Sequence, residues 1–575
     1  MLVPLPPSRR APVALAALAI VLGFGVDLLS PAALRAQRIT VRADEYRQAF
    51  TGAGSSIPLY LFNHFQLPAA GRAEAVDLIA RQLELGYLQD YPEFRPSDPS
   101  RADYFARRAE YFAAAEAVNP DVEISMVFSI FPDDLRDDTL VNGRTERRLD
   151  YRRPGIYDEV AGWYFEVLDY YAQRGITVDI VNAVNEPDFI TLRYGFQGDS
   201  RRGTAELFDK AIGRLRELIA DPATNTAGMP MPRIMGPSTI APSGAVSFVN
   251  YYKTEAPAAW ANIDIVSYHQ YTNGTSNAIA TLVSASEGRP VIQSEMHANR
   301  GDNLPALSQL ATNHRGALSV ARLFGAAVNR GTASWWYFLN VFPTDDSNPG
   351  LLQIQSGDDR PRPFKHYYAY RQLSSAQPLG SRRVERDLAS IRSEGEVITF
   401  RPEGSDTVYV HVGNFVSTAR DIAVDVRRAD GSAYPILSYG HRVTDATRDD
   451  ADLGTTLTGG GADTVTVSVP GYSVNTFAVA LGGVSGLSPK PSPHERLAAY
   501  VRGGELVVGL PSGWASRGAA ELEFSDVSGR SLRRGTYDTG SGAPLRLALP
   551  PALARGVYFA TLRQGGRALT ARVVW

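Results

Sequence analysis

Two acidic residues stand where a chain seldom places a carboxylate. The apolar run VDIVNAV, 178–184, leads straight into Asn185, Glu186 and Pro187, and a second run, PVIQSEMH at 290–297, carries Glu295 near its end. Charged groups avoid apolar surroundings unless they are paired, hydrogen-bonded or protonated. A strand-end Glu facing water explains either residue alone. Brought face to face, the two can break an acetal. One carboxyl, kept protonated, hands its proton to the leaving oxygen, while the other, kept ionised, attacks the acetal carbon or activates water against it.

Other residues suit the same chemistry. Asn185 offers an amide to a hydroxyl beside the acetal carbon. The run IDIVSYHQY, 263–271, puts His269 or Tyr271 next to Glu295, where a donor would hold that carboxylate ionised and oriented. Trp335 and Trp336, in TASWWYFL at 332–339, offer apolar faces for a sugar ring, and strand alternation turns only one of them inward. Asp90 and His297 reach the same region from neighbouring loops. His269, Glu295 and His297 could be drawn as a metal cluster, but they lack any recognised ligand spacing. The expectation is no metal and no cofactor.

These side chains need a scaffold that aims strand ends at one point. Eight short apolar runs begin at 50, 86, 123, 178, 233, 263, 290 and 332, and amphipathic stretches with three- and four-residue apolar spacing separate them. Buried strands alternating with helices predict a parallel sheet. Eight such units over 51–375 predict a closed (β/α)8 barrel, a TIM barrel, with its reactive groups at the C-terminal ends of the strands. No G-x-G-x-x-G opens any of the helices, which disfavours an open doubly wound sheet. Glu186 then follows the fourth strand and Glu295 ends the seventh, on opposite sides of the ring. Facing carboxylates at that mouth are what cleavage of a glycosidic bond requires.

Beyond 375 the periodicity switches to two. Residues 376–483 read as an antiparallel β-sandwich side domain, joined by strand-forming residues at 37–50 that precede the barrel. A Gly/Ser/Pro-rich linker follows at 484–492, then a small all-β unit at 493–575. At the other end, Arg9 and Arg10, the apolar run APVALAALAIVLGFGV and small residues near Ala36 read as a signal peptide over 1–36. The expectation is a secreted or cell-surface protein, exported through the periplasm, with no membrane span after processing.

Composition narrows the rest. The net charge of −3 gives no electrostatic reason for a nucleic-acid partner. There is no cysteine, which excludes disulfides, thiol nucleophiles and Cys-based metal sites, and the eight His include no His-Glu-x-x-His.

Asn185-Glu186-Pro187 after strand four, with Glu295 after strand seven, resembles clan A of the retaining glycoside hydrolases. The flanking sandwich, including PGYSVNTFAVAL, resembles the side domain of glycoside hydrolase family 30, whose first strand also precedes its barrel. The resemblance implies that Glu186 is the acid/base and Glu295 the nucleophile of a secreted β-glycoside hydrolase acting on a plant, fungal or algal polysaccharide. That family often carries an arginine after its second strand; here Gln89, Asp90 and Tyr91 occupy the position, with Arg95 further on. The last unit, through FSDVSGRSLRRG and GVYFATLRQGGRALTARVVW, resembles the C-terminal sorting domain of type IX secretion. That implies the type IX secretion machinery as a partner; a carbohydrate-binding module is the alternative for this unit. The expected partners are otherwise a polysaccharide or oligosaccharide substrate alone, for a monomer. Two alternatives share the scaffold: a transglycosylase, and a carbohydrate-binding surface protein without catalysis.

Overall fold

The structure is a computed structural model. It describes residues 37–574 apart from 59–60, 142–143, 190–195, 198, 272–275, 298–309, 343–349, 390–395, 483–497 and, in the last unit, 503–504, 510–518, 527–529, 539–544, 550–556 and 565–566. The expected signal peptide and linker lie outside the described residues.

Eight parallel strands close into a barrel in chain order: Ala53–Ser56, Tyr87–Asp90, Glu123–Val127, Ile180–Asn182, Arg233–Thr239, Ile265–His269, Val291–Glu295 and Ser334–Tyr337. Below, they are barrel strands 1 to 8. Helices pack around them, among them Ala102–Val118, Ile156–Ala172 and Thr312–Asn329. The floor of the barrel is apolar: Tyr87, Ile180, Met235, Ile265, Ile292 and Trp336 form one buried cluster. All of these point inward, which fixes the alternation of the six strands they belong to. Residues two further along each strand point inward in turn, and there the interior becomes polar, with Gln89, Asn182, Ser267 and Ser294 all buried. Two further still on strands 2 and 6, Tyr91 and His269 reach the mouth.

The side domain is one nine-stranded sheet built mostly from 382–481, with Gln37–Ala49 inserted next to its last-but-one strand. That early strand pairs antiparallel with Arg382–Ala389 and parallel with Arg420–Arg427, so the sheet is not wholly antiparallel. Apolar residues from both ends of the strand order, Ile436 and Val467 included, share one core with Ile39 and Val41, so the sheet curls over itself as a sandwich does. The last barrel helix, Lys365–Ser375, docks on this domain. Gln372 donates to the carbonyls of Arg442 and Val474, and Arg371 pairs with the buried Asp450.

The last unit has two antiparallel sheets, of three and four strands, sharing a core of Leu506, Val508, Leu522, Phe524 and Leu562. Among the described residues no helix is long and apolar enough to cross a membrane.

Candidate active site

Barrel strand 4 ends at Asn182, and Glu186 lies just past it in a left-handed conformation, φ 42°. Its backbone N–H donates to the carbonyl of Ser238 at 2.9 Å, which ties the Glu186 turn to the end of strand 5. Asn185 beside it is buried, and its Oδ1 has no hydrogen-bond partner among the described residues.

Glu295 reaches the mouth by a different device. Ile292 belongs to the inward floor, so simple alternation turns Ser294 inward and Glu295 outward. The pairing with strand 6 breaks that count. Gln293 sits opposite Tyr268 but Glu295 sits opposite His269, with an irregularity between them. Such a bulge re-aims a side chain, and here it brings the carboxylate back inside the barrel.

Three donors meet the two acids. The Tyr271 hydroxyl donates to Oε1 of Glu295 at 2.6 Å and the Tyr91 hydroxyl to Oε2 at 3.0 Å. His269 lies between the carboxylates: Nδ1 is 2.9 Å from Oε1 of Glu186, and Nε2 is 3.7 Å from Oε2 of Glu295. One carboxylate oxygen of each Glu and one ring nitrogen of His269 lie within 4.8 Å of one another. This donor set could in principle hold a divalent cation. The same atoms are, however, already engaged, with both Glu295 oxygens accepting from tyrosines and both imidazole nitrogens facing carboxylates.

The electrostatics follow from this packing. Burial pulls the His269 imidazole toward neutrality, but Glu295 and Glu186 together outweigh it and hold its pKa above the usual histidine value. Burial pushes the Glu295 carboxyl up, and the nearby charge of Glu186 adds to that; the imidazole and the two phenols oppose it. Tyr271 is held well above its ordinary range by burial and by Glu295, so it stays a donor.

Other expected site residues fall elsewhere. Asp90 follows the inward Gln89 on strand 2, so it points to the helix layer, where Arg108 pairs with it at 3.0 Å and the Tyr171 hydroxyl donates to it. It anchors helices rather than facing the mouth. Neither tryptophan reaches the mouth. Trp335 points outward, packs against Phe324 and Tyr370, and donates through Nε1 to Gln270. Trp336 does point inward, but two residues too deep: it stacks on Tyr87 in the barrel floor, and a Cβ on Gly54 would lie 2.5 Å from its ring. The aromatic at the mouth on that strand is Phe338, half-buried and edge-on to Tyr91 at 5.4 Å. His297 lines the wall, edge-on to Tyr271 at 5.2 Å.

Tyr91 and Phe338 were the residues missed as site members. The signal that could have found them is the alternation itself, counted two positions past Gln89 and Trp336.

No protein-family model matches the sequence, and no curated protein does. Solved structures do match, across 77% of this chain. A GH30 endoxylanase from Clostridium papyrosolvens C71 aligns over 100% of its own length at 15% identity and TM-score 0.59. The catalytic domain of GH30 xylanase C from Talaromyces cellulolyticus aligns over 100% of its length at 16% identity and TM-score 0.59. A conserved exported protein from Bacteroides fragilis aligns over 100% of its length at 10% identity and TM-score 0.60. At these identities the likeness is one of fold: barrel and attached sheet domain together.

Proposed function

We propose that this chain is an exported retaining glycoside hydrolase that cleaves a β-linked polysaccharide by double displacement. One observation carries the reading. The carboxylates of Glu186 and Glu295 face one another across the barrel mouth with oxygens within 4.8 Å. So close an approach of one oxygen from each favours the short separation of retaining enzymes, about 5–5.5 Å between carboxyl groups, over the wider gap that leaves room for an attacking water. The fold shared with two GH30 xylanases supports the same reading.

In the first step Glu295 attacks the anomeric carbon. The bond to the leaving oxygen breaks, and that oxygen takes a proton from Glu186. In the second, Glu186 removes a proton from water, the water oxygen bonds to the anomeric carbon, and the ester to Glu295 breaks. Tyr91 and Tyr271 suit Glu295 to the nucleophile's part, because donors on both oxygens favour the ionised form. His269 suits Glu186 to the acid's part. With its pKa raised, the imidazole carries a proton whose Nδ1–H points at Glu186. Passing that proton to Glu186 gives the neutral carboxylic acid that the leaving oxygen needs. The unpartnered Oδ1 of Asn185 would accept from the sugar 2-hydroxyl, and Phe338 would face the ring.

The residues at 493–575 serve as an address read by the type IX secretion machinery, on the strength of their sequence pattern, and take no part in the chemistry.

The test is a panel of xylan, β-1,6-glucan, β-1,6-galactan and algal galactan incubated with purified protein, with the first-formed anomer read by NMR. Release of sugars that are initially β supports the reading. Inverted product, or no hydrolysis of any member together with retained binding, would replace it by a water-activating enzyme or a non-catalytic binder.

A further inference from the structure

Glu186 occupies a costly piece of backbone. Its φ is 42°, and Ser238, whose carbonyl accepts the Glu186 N–H, has φ 52°. Neither is glycine, and a left-handed conformation at such residues persists only where the surroundings hold it. Two adjacent strand ends are therefore both strained where they meet, so a further contact is needed to keep the turn in place.

Asp188 supplies it. Two residues beyond Glu186, its Oδ1 accepts from the backbone N–H of Ile240 at 3.1 Å, across the gap to the segment after strand 5. Its other oxygen lies in a space that only glycine leaves open. Gly244 is in the first turn of the helix Pro242–Glu255, and a Cβ there would lie 2.5 Å from Asp188 Oδ2 and 3.1 Å from the Cβ of Thr239. The Phe189 N–H closes back on the Glu186 carbonyl at 2.9 Å, so Glu186, Pro187 and Asp188 form one short turn, with the acid at its start and the anchor at its end. Movement of Asp188 is movement of Glu186, and Glu186 sits at hydrogen-bond distance from His269 Nδ1.

We propose that Asp188, seated against Gly244, is a positioning residue that holds Glu186 at the barrel mouth in reach of His269 and of a leaving oxygen. What Glu186 does there rests on the hydrolase reading above; that Asp188 places it rests on geometry alone.

Three variants separate the possibilities. Asp188→Ala removes the acceptor. Gly244→Ala keeps Asp188 but fills its seat. Asp188→Asn keeps an acceptor of the same shape and is the conservative rescue. Crystal structures of each report the Glu186–His269 contact without reference to activity. The contact is expected to break in the alanine variants and to persist in Asp188→Asn. Hydrolysis of aryl glycosides adds a second readout, because proton delivery matters only when the leaving group is poor. In kcat/KM, which reports the glycosylation step alone, the alanine variants should lose on the order of 10²-fold on an aryl glycoside with a poor leaving group. They should change little on a dinitrophenyl glycoside, with Asp188→Asn close to wild type on both. An intact Glu186–His269 contact in Asp188→Ala, or equal losses on both aglycones, would overturn the assignment. A wild-type protein that cleaves no glycoside would sink the hydrolase reading alone, and the crystallographic comparison would still decide the positioning.

Discussion

His269 Nδ1 stands 2.9 Å from Oε1 of Glu186, while the opposite edge of the same ring faces Glu295 at 3.7 Å. One imidazole thus spans both acids, and its raised pKa favours a positive charge beside Glu295. Replacing it by glutamine, His269→Gln, removes that charge. Glu295 then loses the neighbouring charge that favours its ionised form, and the proton held next to Glu186 is gone. The variant should lose about 10²-fold or more in kcat, and the acid limb of its kcat/KM profile should move to higher pH, since Glu295 becomes harder to ionise. A limb that stays in place would mean the imidazole does not carry the charge.

Tyr91 and Tyr271 each give Glu295 one hydrogen bond. A hydrogen bond to a charged group contributes about 1.5–3 kcal/mol. Tyr91→Phe and Tyr271→Phe should each lower kcat/KM by roughly 10- to 100-fold. The sign on pH is fixed: these donors lower the Glu295 pKa, so losing one raises it, and activity falls first on the acid side. Measured profiles for the two variants check this directly.

Phe338 and Trp336 differ by two residues and should differ in what they do. Phe338→Ala is expected to raise KM with little change in Tm. Trp336→Ala empties the barrel floor beside Tyr87 and should cost about 3–5 kcal/mol of stability. Thermal melts set beside Michaelis–Menten kinetics separate the two effects.

Three histidines are buried as neutral groups: His64 and His366 with pKa values pushed down to about 4, and His411 to about 3, each chiefly by burial. An unfolded histidine titrates near 6.5. Below that value the unfolded chain takes up protons that the folded chain refuses. Their contribution to stability is therefore fully present above about pH 6.5 and is lost progressively as pH falls toward 3. The protein should melt several degrees lower near pH 4 than near pH 7. His411, whose nitrogens face Thr476 and Gln377 where the barrel meets the sheet domain, should account for part of the slope. His411→Gln is expected to flatten it, as read by calorimetry across that range.

The barrel was legible because its strands are buried on both faces and its helices on one, so the two periods alternate visibly along 51–375. Glu186 was legible because an apolar run ends on it. Glu295 was found by its place near the end of a run, but its orientation was not: a bulge between Gln293 and Glu295 is invisible to a period-two count. Asp90 and Trp336 were misplaced for the opposite reason. There the count holds, and applying it from the floor residues Tyr87 and Trp336 puts Asp90 outside and moves the mouth aromatic to Phe338. The insertion of Gln37–Ala49 beside Arg420–Arg427 as a parallel pair is a long-range choice of register that no local pattern encodes.

Double displacement requires a covalent bond between the sugar and Glu295, and that bond can be trapped. A 2-deoxy-2-fluoro glycoside with a good leaving group forms the intermediate faster than it is hydrolysed, so the adduct accumulates for intact-mass and peptide mass spectrometry. One fluoroglycosyl unit per chain is expected, on the peptide containing Glu295, absent in Glu295→Gln and still formed in Glu186→Gln. A label on Glu186, or turnover of the natural glycoside with inversion and no label, would contradict it.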